Sequence, residues 1–437
     1  MTVTIENTSP VEAKIRIQVP SQIVSERLNS YYASLGRQAK VPGFRPGKAP
    51  THVVKQMYGS EVLSDVSERL IAEFLGKAID EHKLDLVMPP MLLATDLPAE
   101  DKDFQFEVEV HLKPQIEKLN LDQLQIEVPA PQAVTDQEVD QELERAREAD
   151  ATFVDILELR PANSSDCVVV TYKGNLDGVE DPRMAAQNQT AIMGQNRFLP
   201  DFEKAIVGMK IGETKTFDCS FPADYHEASL QGKVAQFTLT LNAIKSKKLP
   251  ELNDEFAKGM DPDVKDLSEL RAKMKKQLED NRHEETESQK KELVGDALVA
   301  SHPLTVSQRQ VESYAQRLAE QTHQMMHQMG MHHEETEEHA QQLLASSRKK
   351  AERDIKLSYV LETIARENKF EVSADDLKKR FERTAARTGY SITQIQQYYA
   401  GKDEGDGPSR MERLKIDIMD EKSLDYALSK ATIKLKE

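Results

Sequence analysis

Apolar residues follow three kinds of spacing along this chain, and each spacing marks a different stretch. Near the N-terminus Val11, Ala13, Ile15, Ile17 and Val19 alternate with polar neighbours, as a half-buried strand requires. The alternation returns in "FQFEVEVHLKP" through Phe104, Phe106, Val108, Val110 and Leu112. Between these strands, Ile23, Leu28, Tyr31 and Leu35 fit a helix that starts after Pro20-Ser21. Val62, Val66, Leu70 and Phe74 fit a longer one opening after Ser60. Residues 1–113 therefore read as an α+β domain.

Residues 114–150 read as a linker that starts Pro-rich, in "VPAPQAV", and becomes a charged helix with Val139 and Leu143 four apart. Residues 151–246 change to strand and turn: "DCVVVTYKGNLDG" is a strand followed by an Asp-Gly turn, and "VAQFTLTLNAIK" alternates cleanly. From 247 to 437 the chain reads as helical. Narrow apolar stripes run through heavily charged segments, a pattern suited to extended arms rather than a thick globule. Breaks fall at His302-Pro303, Gly330 and "YYAGKDEGDGPSR", and no repeat of fixed period is visible. The fold class is an α+β multidomain chain with a β-rich middle and an all-α C-terminal part.

Composition narrows the function classes. A length of 437 residues exceeds one compact core, so two to four domains are expected. Aromatics make up only 5%, without Trp, which favours helical layers of Leu, Ala and Met over large rigid cores. The N-terminal residues "MTVTIENTSPVEAKIRI" carry neither the basic nor the apolar region of a secretory signal, and no run approaches a membrane span. A reducing cytosol is expected, with Cys167 and Cys219 as small hydrophobes on strands. A formal net charge of −17 argues against general nucleic-acid binding, and neither DNA nor membrane is expected as a partner.

One stretch runs against that acidity. No acidic residue occurs between Glu26 and Glu61, whereas Arg27, Arg37, Lys40, Arg45, Lys48 and Lys55 all fall there. At its centre lies "GFRPGKAP", where glycines and prolines forbid a continuous helix and form a turn that presents side chains outward. Arg45 offers a planar fork suited to phosphate, and Lys48 a mobile point charge. Phe44 can stack on a base or enter an apolar pocket of a protein. The residues alone fit two arrangements: a docking tip for one site on a large polyanion, or a solvated loop with Phe44 folded back into the core. The tip lacks the spacing of a phosphate-binding P-loop, and no ATP motif occurs elsewhere.

"GFRPGKAP" resembles the ribosome-docking motif of the bacterial trigger factor family, G-F-R-x-G-x-x-P, with Gly43, Phe44, Arg45, Gly47 and Pro50 at every fixed position. The likeness extends over the whole chain: a ribosome-binding α+β domain, an isomerase domain of the FKBP type, and a helical substrate domain. It implies docking beside the nascent-chain exit port through a ribosomal protein and nearby ribosomal RNA. Arg45 would make the ionic contact, Phe44 the packing contact, and Lys48 would add charge.

Peptide bonds before proline exchange between cis and trans over tens to hundreds of seconds. The barrier comes from amide resonance, and a twisted amide is less dipolar than a planar one. An apolar, aromatic-lined pocket therefore favours the twisted state, with neither nucleophile nor metal. Residues 167–245 resemble the FKBP-type prolyl isomerases in "VVVTYKGNLDG", "MGQNRFLPDFEKAIVGMKIGETKTF", "FPADYH" and "KVAQFTLTL". By position the resemblance assigns Tyr172 to the pocket lining, and Phe198 and Leu199 to the segment whose backbone meets the substrate. Phe202 would be the floor, Tyr225 would offer its hydroxyl, and Phe237 would close the far wall. Asp181 and Gln189 stand where the family places aromatics, so weakened isomerase activity is expected.

The helical part contains "THQMMHQMGMHHEETEEHA". Met325, Met326, Met329 and Met331 supply adaptable apolar surface of the kind a chaperone for unfolded chains needs, and they fit a helix core equally. His323 and His327 have the i,i+4 spacing that can clamp a metal, with His332, His333 and His339 following. The His-Glu-x-x-His pattern of a zinc protease is absent. No metal or other cofactor is expected, and a polar arm tip is the simpler account.

The reading that emerges is an ATP-independent, ribosome-associated cytoplasmic chaperone that shields unfolded nascent polypeptides and isomerises prolyl bonds. Weak homodimerisation through its apolar cradle is compatible with it. Two rivals stay open: a free-standing prolyl isomerase, and a metal-binding FKBP-like protein that uses the His tract.

Overall fold

The computed structural model describes residues 1–38, 42, 44, 50–116, 118–122, 124–130, 132–156, 160–164, 166–176, 178–194, 198–222, 227, 230–328, 337–401 and 409–436. They form two compact units. One comprises Met1–Ala130 with Thr286–Glu437, and the other comprises Pro131–Glu285.

The first unit begins with β1 (Thr2–Ser9), β2 (Glu12–Val19), α1 (Ser21–Gln38), α2 (Thr51–His82), β3 (Met91–Thr95) and β4 (Phe104–His111). The strands make an antiparallel sheet in the order β1-β2-β4-β3, with Ile15 opposite Val108 and Ile17 opposite Phe106. The alternating residues fill one face of that sheet. Ala13, Ile15, Ile17 and Val19 join Phe104, Phe106, Val108 and Val110 against Leu28 of α1 and Val62, Val66, Leu70 and Phe74 of α2. The helix expected to open after Ser60 opens at Thr51. Pro50 holds the extended N-cap geometry (φ −62°, ψ 145°), and burial of Val54 in the shared core carries the helix through Gly59-Ser60. Strand β1 was not expected, because Val3 and Ile5 stand among polar residues and are only partly buried.

Next comes β5 (Gln125–Pro129), within the stretch read as a linker. It pairs in parallel with β11 (Thr432–Lys436), matching Ile126 with Ile433 and Val128 with Leu435. Strand β11 corrects the expectation that everything after residue 247 is helical. Leu124, Ile126 and Val128 pack against Val294 and Leu298 of α6 (Leu267–Ser301), Val360 and Ile364 of α8 (Glu337–Glu367), and Ala427 of α11 (Arg410–Lys430). A second core joins α7 (Gln308–Gln328) to α8 through Val311, Ala315, Ala351, Ile355 and Tyr359. A third, from Phe381, Ile395, Leu414 and Ile418, ties α9 (Ala374–Thr388) and α10 (Ile392–Ala400) to α11. Ser373, Ser391 and Ser409 each start a helix with a reciprocal capping box. His111 of β4, only 2% exposed, lies under the segment before α7, where its Nδ1 and the Ser307 hydroxyl are 2.9 Å apart.

The second unit holds α3 (Asp136–Ala149), β6 (Thr152–Asp155), β7 (Cys167–Leu176), β8 (Val179–Ile192), α4 (Pro200–Ile206), β9 (Thr214–Ser220), β10 (Val234–Lys248) and α5 (Asp254–Met260). Strand β10 pairs with β7 along one side, and with β9 and then β6 along the other, while β8 pairs with β7. Leu143 of α3 packs on Phe256, Ala257, Val264 and Leu270, which fixes α3 to the region where α6 begins. There Glu138, the capping-box acid of α3, also accepts a 2.6 Å hydrogen bond from Arg282.

Candidate functional site

The alternation along β7 and β10 turns one face of the strand-rich unit into an aromatic cup. Tyr172 of β7 and Phe237 of β10 point to the same side as Phe202 of α4. The ring centroid of Tyr172 lies 5.3 Å from that of Phe202, 6.1 Å from that of Phe237 and 6.3 Å from that of Phe198. Phe198 stacks on Phe202 at 5.6 Å. Phe202 and Phe237 are buried, whereas Tyr172, Phe198 and Leu199 are half-buried at the edge of the cup.

The position of α4 follows from local chemistry. Pro200 pre-sets the first helical residue, and the Leu199 carbonyl accepts hydrogen bonds from the Phe202 and Glu203 amides. Glu203 accepts a bond from the Gly194 amide (3.1 Å), and Asp201 accepts one from Ser220 of β9 (3.2 Å). These two carboxylates tie α4, and with it Phe202, to Gly194 and to β9.

Sequence reasoning brought five of its pocket residues together: Tyr172, Phe198, Leu199, Phe202 and Phe237 share one cluster. Tyr225 lies outside the described residues. Missed were Phe217, whose ring meets Phe202 edge-on at 5.0 Å, Phe221 at 6.3 Å from Phe237, and the buried Met184. The two-residue spacing of Phe217, Cys219 and Phe221 was the available signal. Gly174 is required by contact: a Cβ there would stand 2.7 Å from both Met184 and Phe237.

Asp181 sits opposite Gly174 in the β7–β8 ladder, half-buried. Its hydrogen bonds from Arg183, at 2.7 Å to the guanidinium, hold the carboxyl below the usual carboxylate range. Arg183 also reaches Glu227 at 3.1 Å. Gln189 lies opposite Val170 and is exposed. Cys167 and Cys219 are both buried and unpaired, and burial pushes the Cys219 thiol up to about 11, so no thiolate is available for covalent chemistry. What the cup offers is a low-dielectric aromatic surface, the environment in which a twisted, less dipolar prolyl amide gains on the planar one.

At the other candidate site, Phe44 is 41% exposed and Pro50 caps α2. Gly43, Arg45, Gly47 and Lys48 lie outside the described residues. Two cations of the acid-free stretch are neutralised, Arg27 by Glu73 at 3.1 Å and Lys55 by Glu100. Arg37 lies in the last turn of α1 and joins no ion pair among the described residues.

In the His tract, the rings of His323 and His327 lie 4.6 Å apart, and Met325 is exposed while Met326 is half-buried. Met329, Met331, His332 and His333 lie outside the described residues, and His339 belongs to α8. Among the described residues no three His, Cys, Asp or Glu side chains are grouped as metal ligands, and no helix is long and apolar enough to cross a membrane.

Comparison with known proteins agrees with this architecture. Residues 1–146 match the family model for bacterial trigger factor protein, residues 266–429 that for its C-terminus, and residues 159–242 that for the FKBP-type peptidyl-prolyl cis-trans isomerase. The trigger factor of Anaeromyxobacter dehalogenans (strain 2CP-C) is 31% identical over 434 residues, covering 99% of this chain and 100% of its own. That of Desulfosudis oleivorans is 29% identical, covering 99% and 96%. A solved structure described as "Promiscuous Substrate Recognition in Folding and Assembly Activities of the Trigger Factor Chaperone" shares the fold. Its TM-score is 0.51 at 20% identity, over 98% of this chain and 99% of that one. The chain belongs to the bacterial trigger factor family, and is thus a chaperone that carries an FKBP-type peptidyl-prolyl cis-trans isomerase domain.

Proposed function

We propose that this chaperone works in the cytoplasm, docks on the ribosome through the tip between α1 and α2, and shields nascent chains beside the exit port. The observation that carries the reading is Phe44, exposed between two helices within an acid-free stretch of an acidic protein. Phe44 enters an apolar site on a ribosomal protein. Arg45 and Lys48 pair with RNA phosphate, and Gly43, Gly47 and Pro50 shape the turn. Binding and release run without ATP, through many weak apolar contacts that end when the substrate folds.

In the same proposal, Phe198 and Leu199 meet the substrate at the rim of the cup. Tyr172, Phe202 and Phe237 form its lining, and Tyr225 contributes a hydroxyl. The charged Asp181–Arg183 pair replaces one apolar wall, so isomerisation is weaker than a fully aromatic cup would give.

Co-sedimentation with ribosomes tests the docking. The double variant Phe44→Ala with Arg45→Ala is expected to leave the ribosome pellet, and binding of the parent is expected to weaken as salt rises. Undiminished binding by the double variant would return the protein to a free-standing isomerase.

A further inference from the structure

Among the described residues strand β11 has a partner on one side only. Among the described residues it pairs with β5 alone, and all five of its residues are exposed. The Thr432 amide donates to the Leu124 carbonyl at 2.8 Å, so Thr432 turns its backbone toward β5. Alternation along a strand then turns Lys434 and Lys436 the same way, and aims the N–H and C=O groups of Ile433 and Leu435 at the free edge. The side chains alternate as well. Ile433 and Leu435 share a face with Ile126 and Val128, which are buried on the helices. Yet Ile433 is 43% exposed and Leu435 is 64% exposed. The apolar face of this small sheet thus continues one strand beyond the helices that cover it.

The opposite face carries Lys434 and Lys436, neither of which joins an ion pair among the described residues. These lysines decide between occupants. A second β11 laid antiparallel about its centre would set Lys434 against Lys434. Laid parallel in register it would set every lysine beside its like, and like charges directly opposite are destabilising. A strand bearing carboxylates at those positions gains where a second copy loses.

We propose that the outer edge of β11 is a docking strand for an extended polypeptide segment in which apolar residues alternate with acidic ones. The segment takes its main-chain hydrogen bonds from Ile433 and Leu435, lays its apolar side chains beside theirs, and sets its carboxylates beside Lys434 and Lys436. This site shares no residue with the aromatic cup or with the tip.

The test uses full-length protein and two end-blocked eight-residue peptides, one alternating valine with glutamate and the other valine with lysine. The glutamate peptide is expected to bind and to slow amide hydrogen exchange at Ile433 and Leu435; the lysine peptide is expected to do neither. Leu435→Pro removes one outward N–H while sparing the bonds to β5, and should weaken binding about tenfold. Lys434→Glu with Lys436→Glu should reverse the preference between the peptides, which keeps the test decisive if the proline variant disturbs the strand. No binding, binding without protection of those two amides, or binding indifferent to both variants would each overturn the proposal.

Discussion

The ring centroids of Phe202 and Phe237 stand 4.6 Å apart with their planes inclined at 67°, and this contact joins the short helix α4 to the central strand β10. Phe202 is 4% exposed, so its removal is expected to act on folding as well as on the proposed catalysis. Phe202→Ala is expected to destabilise the protein by about 3–5 kcal/mol. Phe198→Ala, at the half-buried rim, is expected to lower proline-peptide isomerisation about tenfold at a smaller cost in stability. A coupled isomerisation assay beside thermal unfolding separates the two effects. Full activity in both variants would remove the cup from catalysis.

Gly174→Ala tests the fit of the β7–β10 wall. The added methyl meets the Met184 Cβ and the Phe237 ring at 2.7 Å, closer than side-chain atoms approach, so both must give way. A loss of about 1–3 kcal/mol is expected, together with reduced isomerase activity. An unchanged near-ultraviolet circular dichroism spectrum would show that the wall has room to spare.

Asp181→Phe is expected to raise isomerase activity several-fold by giving the cup an apolar wall. Arg183 retains Glu227 as a partner at 3.1 Å, so the variant does not strand a cation. Activity at or below that of the parent would mean that the charged pair does not limit the reaction.

Glu138 governs part of the acid sensitivity. Hydrogen bonds from Arg282, then from the Thr135 amide and hydroxyl, lower its carboxyl from 4.5 to about 2. The unfolded chain takes up this proton before the folded one does. The contribution to stability is therefore complete above about pH 4.5 and is lost as pH falls toward 2. Melting curves should show a shallower acid decline for Glu138→Gln than for the parent, with the two lines converging at the acid end.

Asp420 behaves in the opposite sense. Burial, reinforced by Asp417 and Glu362, pushes its carboxyl up to about 7. Between about pH 4 and 7 the folded state keeps a proton that the unfolded state has released, so stability falls as pH rises through that window. Asp420→Asn should melt several degrees higher at pH 8 and match the parent at pH 4. A uniform shift at both values would point to packing instead.

Elements marked by a local pattern were readable. Ile15, Ile17, Phe104 and Phe106 announce their strands because alternation is a local property, and all four are buried. The five pocket residues converge because the strand-rich segment repeats a known spacing. The start of α2 was misjudged because Gly59-Ser60 imitates a helix start, whereas the burial of Val54 is a tertiary effect. Strands β5 and β11 were invisible for a different reason. "QIEVP" and "TIKLK" are five residues each, and each is specified by the other from about three hundred positions away.

That separation has a consequence for how the molecule comes into being. Strand β11 is made about 300 residues after β5, a wait of roughly 15–60 s at the usual pace of synthesis. Over it the covering helices α6, α8 and α11 are made one after another, and Ile126 and Val128 gain their neighbouring strand last. The growing chaperone therefore passes through its own longest vulnerable interval with an unsealed flank, and is itself a client in need of shelter before it can offer any.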